Sequence, residues 1–226
     1  MPALRFFLLT MRLLVTAGPT REAIDPVRYL SNRSSGRMGY ALAEAAQVAG
    51  HSVTLVSGPV GLAAPPGVEL VSVASAEEMY QAVLERLPGL DAALLAAAVA
   101  DYTPAAPSPQ KIKKTGEPLA LELIPTRDIL GSLRAQGFQG ILLGFAAETE
   151  NLLANARQKL QQKGCDLLAA NDVARADIGF ESAENEMTVL FADPLRPPVR
   201  LAKADKRKIA RELIGLCEEC ARERSL

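Results

Sequence analysis

Tryptophan is absent from this sequence, histidine occurs once and cysteine three times. A single histidine excludes catalysis by a histidine pair, and it excludes a multi-histidine metal cage. Three cysteines, an odd and low number, exclude a disulfide-stapled scaffold and point to a reducing, cytoplasmic setting. Neither sign of charge is in excess: 25 Lys and Arg face 26 Asp and Glu, a formal net charge of -1. A globally basic nucleic-acid binder is therefore not expected. No apolar run is long enough to cross a membrane, and the longest, around Ala92–Ala100, ends at Asp101. With 49% hydrophobic and 23% charged residues, the composition excludes general disorder. The 226 residues suit one large α/β domain spanning 1–226. Met1–Thr10 is apolar, but Arg12 interrupts the run and a needed strand follows. These ten residues are expected to be a loose N-terminal extension rather than a secretory signal, with Met11 as an alternative start.

What is present is an alternation. Short apolar runs at Leu13–Ala17, Val53–Val56, Leu70–Val73, Ala92–Ala98, Ile141–Phe145 and Leu167–Ala170 read as strands buried on both faces. Helical spacing fills Ser35–Ala49, Ser75–Leu87, Ile129–Ala135 and Leu152–Lys163 between them. Such alternation predicts right-handed crossovers and an α/β, Rossmann-like fold: a mostly parallel, doubly wound sheet with helices on both faces. Two segments break the rhythm. Tyr102–Leu123 is rich in proline, carries the basic run Lys111-Ile112-Lys113-Lys114, and reads as a long loop plus a peripheral strand or ribbon. Glu186–Leu201 reads as an antiparallel hairpin at the sheet edge, followed by a final helix from about Ala204.

Ligands of open parallel sheets bind at the carboxyl ends of the strands. The polar, chemistry-bearing residues of this chain gather after those ends. Ser34-Ser35-Gly36 opens the first helix, where free N–H groups and the helix dipole attract an anion; a plain helix cap fits equally. Asp101 closes an apolar strand, in the place for a ligand or metal-water contact, or for a turn cap. Lys111, Lys113 and Lys114 suit a phosphate clamp or a solvated surface run. Phe145 fits a core position or a face for stacking a base. Lys159 and Lys163 share one helix face. Asn171 ends a strand. The dinucleotide fingerprint is missing, because the glycines are split and no acidic residue ends the second strand. No Gly-Lys-Ser/Thr occurs, and no Tyr is followed by Lys at the fourth position, which counts against a nicotinamide-dependent reductase. A non-catalytic nucleotide-binding dimer is the other competing reading. Cys217 and Cys220 form a C-x-x-C without a second pair, and a structural role is expected. His51 reads as a surface cap residue, and Lys203–Lys208 as a solvated helix face.

Taken together, Asp25–Gly36 (DPVRYLSNRSSG), Ala97–Tyr102 (AAVADY), Lys111–Lys114 (KIKK), Gly144–Thr149 (GFAAET) and Ala170–Val173 (ANDV) closely resemble the motifs of the phosphopantothenoylcysteine synthetases, in order, from about Leu13 to Leu216. The resemblance implies joining of 4'-phosphopantothenate to cysteine with CTP and Mg²⁺, through an acyl-cytidylate, in a homodimer with shared active sites. It implies no flavin in this chain and association with a separate flavin-dependent decarboxylase. By resemblance, Asn32, Ala97, Ala98 and Asp101 contact phosphopantothenate, and Arg28 reaches it from the neighbouring subunit. Gly18, Ser34, Gly36, Gly39, Ala97, Asp101, Lys111, Phe145, Lys159, Lys163 and Asn171 resemble nucleotide contacts. Lys111 resembles the lysine needed to form the acyl-cytidylate, and Asn32 the residue that carries it onward. Pro19 departs from the pattern of a second glycine and has no N–H to give a phosphate.

Overall fold

The computed structural model describes residues 10–148, 151–172 and 182–224. Residues 1–9 of the expected extension, Thr149 and Val173 lie outside the described residues. Eight strands form the main sheet: β1 (Arg12–Ala17), β4 (Ser52–Ser57), β5 (Glu69–Ser72), β6 (Ala92–Leu95), β9 (Ile141–Glu148), β10 (Leu167–Asp172), β11 (Glu184–Phe191) and β12 (Val199–Asp205). Two small ribbons stand apart from it: β2 (Glu22–Asp25) with β3 (Arg28–Leu30), and β7 (Tyr102–Pro104) with β8 (Leu123–Pro125). The helices are α1 (Arg37–Val48), α2 (Ala76–Leu84), α3 (Ile129–Ser132), α4 (Leu152–Lys163) and α5 (Lys206–Arg224). None of them is long and apolar enough to cross a membrane.

The sheet order is β12-β11-β10-β9-β6-β1-β4-β5. Strands β10 through β5 in that order are parallel, and β11 and β12 add an antiparallel edge. The apolar runs are continuous because each central strand is covered twice. Leu13, Val15 and Leu143 face a core shared with α1 and α5. Leu14, Leu142 and Leu168 face a second core shared with α2, α3 and α4. Alternate side chains of one strand point to opposite faces, so both sets must be apolar. The doubly wound expectation and the edge hairpin are therefore borne out.

Three local expectations are corrected. The strand expected over Ala92–Ala98 ends at Leu95, because the chain leaves the sheet there. The helix expected over Ile129–Ala135 is a four-residue turn of helix capped by the Asp128 side chain, which accepts from the Gly131 N–H. In the proline-rich segment the expected loop and ribbon are present, the ribbon made by the segment's two ends. His51 is buried rather than a surface cap. Its Nδ1 accepts from the Met11 N–H at 3.3 Å, so Nε2 carries the proton toward Glu218, 3.0 Å away on α5.

A cleft at a step in the sheet

Strand β6 stops at Leu95 while its neighbour β9 runs on to Glu148. The sheet therefore has a step at its carboxyl edge. The segment Ala96–Asp101 crosses that step, and its backbone is held from several sides. The Ala97 N–H donates to Thr16 Oγ1 at 3.1 Å, and the Ala100 N–H to Thr20 Oγ1 at 3.0 Å. The Ala98 N–H donates to the Gly18 carbonyl at 2.9 Å. Thr126 Oγ1 donates to the Ala100 carbonyl at 2.6 Å, and Asn32 Nδ2 donates to the Ala98 carbonyl. Buried backbone groups need partners. Here short polar side chains supply them and fix the segment as a rigid platform.

Above this platform lies a cleft of about 500 Å³. Ser34, Gly36 and Arg37 form one wall, at the start of α1. Gly36 has φ +74°, which turns the backbone into the helix without a side chain in the way. Ala97, Ala98 and Thr16 form the floor. Phe145, Ala147 and Asn171 form the opposite wall, from β9 and β10. Asp101, Lys159 and Lys163 stand at the rim with Thr126–Leu130, and Asn185, Met187 and Lys206 close the far end. Residues from near both ends of the chain thus meet in one crevice.

The electrostatics suit a polyanion. Arg37, Arg127, Lys159, Lys163 and Lys206 all line the cleft. Lys163 is paired with Asp128. Burial works against the Asp128 charge, but the Lys163 and Gly131 hydrogen bonds and the charges of Lys163 and Lys159 outweigh it and hold the carboxyl below its usual range. Lys206 is only 7% exposed, and burial, followed by repulsion from Arg37, brings it down to about 8. This corrects the solvated reading of Lys203–Lys208 at that position. Low-dielectric walls lined by one sign of charge focus attraction for an anion.

Four of the five motifs supply residues to the cleft: Ser34 and Gly36; Ala97, Ala98 and Asp101; Phe145 with Lys159 and Lys163 on the following helix; and Asn171. Gly18 lies beneath the platform. Gly39 faces β1, where an added Cβ would lie 2.5 Å from the Ala17 Cβ and 2.8 Å from the Thr16 carbonyl oxygen. Asn32 sits at the platform edge, and its Oδ1 accepts from the Ser34 N–H at 3.0 Å. Arg28 and Lys111 are away from the cleft lining. Arg28 pairs with Asp25 and donates to the Ile112 carbonyl at 2.8 Å, beside Lys111. Sequence reasoning misses Arg127, Asp128, Asn185 and Lys206. Asp128 has a signal, its cap spacing to Gly131; Asn185 has none.

Among the described residues no group of three or more His, Cys, Asp and Glu could hold a metal ion. Exposed Asp101 offers one carboxylate at the rim. That donor set fits Mg²⁺ arriving on phosphate oxygens, since the ion keeps waters and takes few protein ligands. The three cysteines are free thiols. Burial pushes Cys165 up to about 12 and raises Cys217 and Cys220, so none is an activated nucleophile.

Comparison with known proteins places this geometry. The family model of the DNA/pantothenate metabolism flavoprotein C-terminal domain matches residues 8–220. The coenzyme A biosynthesis bifunctional protein CoaBC of Vibrio parahaemolyticus is 48% identical over 184 residues, 80% of this chain and 46% of that protein. Its Bacillus subtilis counterpart is 48% identical over 181 residues, 80% of this chain and 45% of that protein. The chain spans about half the length of the curated relatives it matches. Among solved structures, the C-terminal domain of a CoaBC protein has a TM-score of 0.81 at 38% identity, covering 96% of this chain and 98% of that one. A mutant Cab2 in complex with phosphopantothenate-cysteine has a TM-score of 0.76 at 18% identity, covering 96% and 89%, and shares the fold.

Proposed function

The chain belongs to the family of the DNA/pantothenate metabolism flavoprotein C-terminal domain, and from that premise we propose that it is a ligase joining 4'-phosphopantothenate to L-cysteine at the expense of CTP. The observation that carries the reading is the convergence of four distant motifs on one cation-lined cleft. The names of the relatives, coenzyme A biosynthesis proteins, support the same substrates.

A carboxylate is a poor acylating agent, so it must first be given a leaving group. The phosphopantothenate carboxylate attacks the α-phosphorus of CTP, forming an acyl-cytidylate and releasing pyrophosphate. The cysteine amine then attacks the acyl carbon; the amide forms, CMP leaves, and the amine proton passes to solvent. A triphosphate, a phosphomonoester and a carboxylate bring together about seven negative charges. Lys159, Lys163, Lys206 and Arg37 offset that repulsion within the cleft. Asp101 would hold Mg²⁺ brought with the nucleotide, and the ion would supply further charge neutralisation. Lys111 lies beside Arg28, outside the cleft lining of its own chain, and would stabilise charge developing in the first step in the partner's cleft, as Arg28 does. Asn32, on the platform edge, holds the acyl oxygen or the incoming amine. Phe145 offers a flat apolar face to the base.

The homodimer is part of this reading. Val27 and Tyr29 on the β2–β3 turn and ribbon, and Tyr102, Leu123 and Ile124 on the β7–β8 ribbon, are exposed large apolar side chains on neighbouring ribbons. A second copy covering that face would bury them and bring Arg28 to the partner's cleft. The free thiols support a reducing, cytoplasmic compartment. The bifunctional relatives support association with a flavin-dependent decarboxylase. The test is pyrophosphate release with phosphopantothenate, Mg²⁺ and either CTP or ATP. Release should require the acid and favour CTP, and cysteine should then yield CMP. No release with either nucleotide would reject the reading.

A further inference from the structure

The Lys111 segment has no regular structure of its own between Pro104 and Leu123, yet it is tied down. The Ser108 N–H donates to the Ile24 carbonyl at 2.9 Å, securing the start of the basic stretch to β2. At Ile112, both backbone groups are taken. Its N–H donates to Asp25 Oδ2 at 3.1 Å, and its carbonyl accepts from Arg28 Nη2 at 2.8 Å. Arg28 also donates to Asp25 Oδ2 through Nε at 2.9 Å and through Nη2.

The Asp25 side chain is fully buried, whereas that of Arg28 is 44% exposed. One carboxylate oxygen does what an aspartate commonly does in a turn. Oδ1 accepts from the Val27 and Arg28 N–H groups, both at 2.9 Å, and shapes the tight connection between β2 and β3. The other oxygen is not needed for that turn. It reaches a residue 87 positions along the chain and an arginine that grips the same residue.

We propose that Asp25 is a positioning residue of the ligase, clamping Ile112 and Arg28 together and so fixing the backbone from which Lys111 projects. The clamp rests on the ligase reading for its purpose, but not for its existence. The Arg28 hydrogen bonds, helped by the N–H groups of Val27, Ile112 and Arg28, hold the Asp25 carboxyl well below the usual carboxylate range despite its burial. The clamp therefore stays charged throughout the working pH range. It also couples two groups: Arg28 cannot swing away from Asp25 without releasing the Ile112 carbonyl. The lysine-bearing loop and the arginine are therefore set as a unit.

Two variants of the full chain test this. Asp25→Asn offers one acceptor oxygen where the carboxylate has two, so whichever way it turns, one set of N–H donors meets an NH₂ group. Ile112→Pro removes the donor from the loop side and leaves Asp25 intact. Trypsin is the first probe, without substrates. Cleavage after Lys113, a bond whose chemistry neither substitution changes, should accelerate by roughly tenfold in both variants, the effect of losing one charge-assisted hydrogen bond. The rate of pyrophosphate release at saturating substrates should fall by roughly tenfold or more, with a smaller change in KM. The double variant should be no worse than the worse single, because both changes break one contact. Wild-type cleavage rates, an undiminished kcat, or additive losses would overturn the clamp. If Asp25→Asn does not fold, Ile112→Pro alone decides. If wild type releases no pyrophosphate, the ligase reading fails while the trypsin comparison still judges the contact.

Discussion

Gly39→Ala separates two accounts of the first helix. The resemblance makes Gly39 a nucleotide contact, whereas the structure turns it toward β1. Helix propensity alone says that alanine should stabilise by about 1 kcal/mol. Space says the opposite. The new Cβ would meet the Ala17 Cβ at 2.5 Å, the Thr16 carbonyl oxygen at 2.8 Å and the Ala17 Cα at 2.9 Å. Two of these are backbone atoms of a strand paired on both sides, to β4 and β6, so β1 cannot retreat. The helix must lift instead. Overpacking of that kind costs up to about 3 kcal/mol, leaving a net loss of about 2 kcal/mol after the propensity gain. At roughly 2–4 °C per kcal/mol for a chain of this size, Tm should drop by about 4–8 °C. Lifting α1 also moves Ser34, Gly36 and Arg37 away from the cleft. A nucleotide present at a hundred times the wild-type Kd stabilises wild type by about 2.7 kcal/mol, and a tenfold weaker site by only about 1.4 kcal/mol. Calorimetry with and without CTP reads both numbers. A Tm that rises or holds would refute the packing argument. A lowered Tm with the full CTP shift would confine Gly39 to stability.

Lys111→Gln should abolish pyrophosphate release while leaving Tm unchanged, because Lys111 is exposed; melting curves and a phosphate-coupled assay check it. Asn32→Asp keeps the acceptor for the Ser34 N–H but sets a carboxylate against the Ala98 carbonyl; pyrophosphate should still form, and mass spectrometry should find a trapped acyl-cytidylate. Lys206 is charged below about 8 and neutral above it, so triphosphate affinity should weaken as pH rises through that value; titration calorimetry with Lys206→Arg, which stays charged, should show a flatter dependence. Replacing Val27 and Tyr29 with serine should shift sedimentation toward monomer and reduce turnover, if a second copy covers that face.

The central sheet is legible in the sequence because burial on two faces leaves an unmistakable imprint, a run such as Leu13–Val15 with no polar alternation. The β2–β3 ribbon is not. Glu22–Leu30 is short, its strands pair only with each other, and it buries Glu22 and Asp25 while exposing Val27 and Tyr29, so its apolar pattern does not mark a buried face. Pattern alone makes β6 too long because Ala96–Ala98 is as apolar as Ala92–Leu95; what ends it is the competing hydrogen bonds of Thr16 and Gly18, invisible in local pattern. Lys206 escapes notice for a related reason. Its neighbours Lys203, Arg207 and Lys208 are solvent-facing, and only the packing of α5 across α1 and the sheet turns this one inward. His51 reads as a cap because Glu218, its partner, lies 167 residues away.

The strand order has a consequence for how the molecule is made. Strand β1 is an interior one, and it stays unpaired on one side until β6 follows, with Arg12 and Asp91 79 residues apart. The far end of the crevice waits longer still, for Asn185 and Lys206. Such long-range pairings make acquisition of the native topology slow. They also make ligand capture an all-or-nothing report on completion: a partly assembled chain has the platform without its far wall, and a nucleotide has nothing to hold it there.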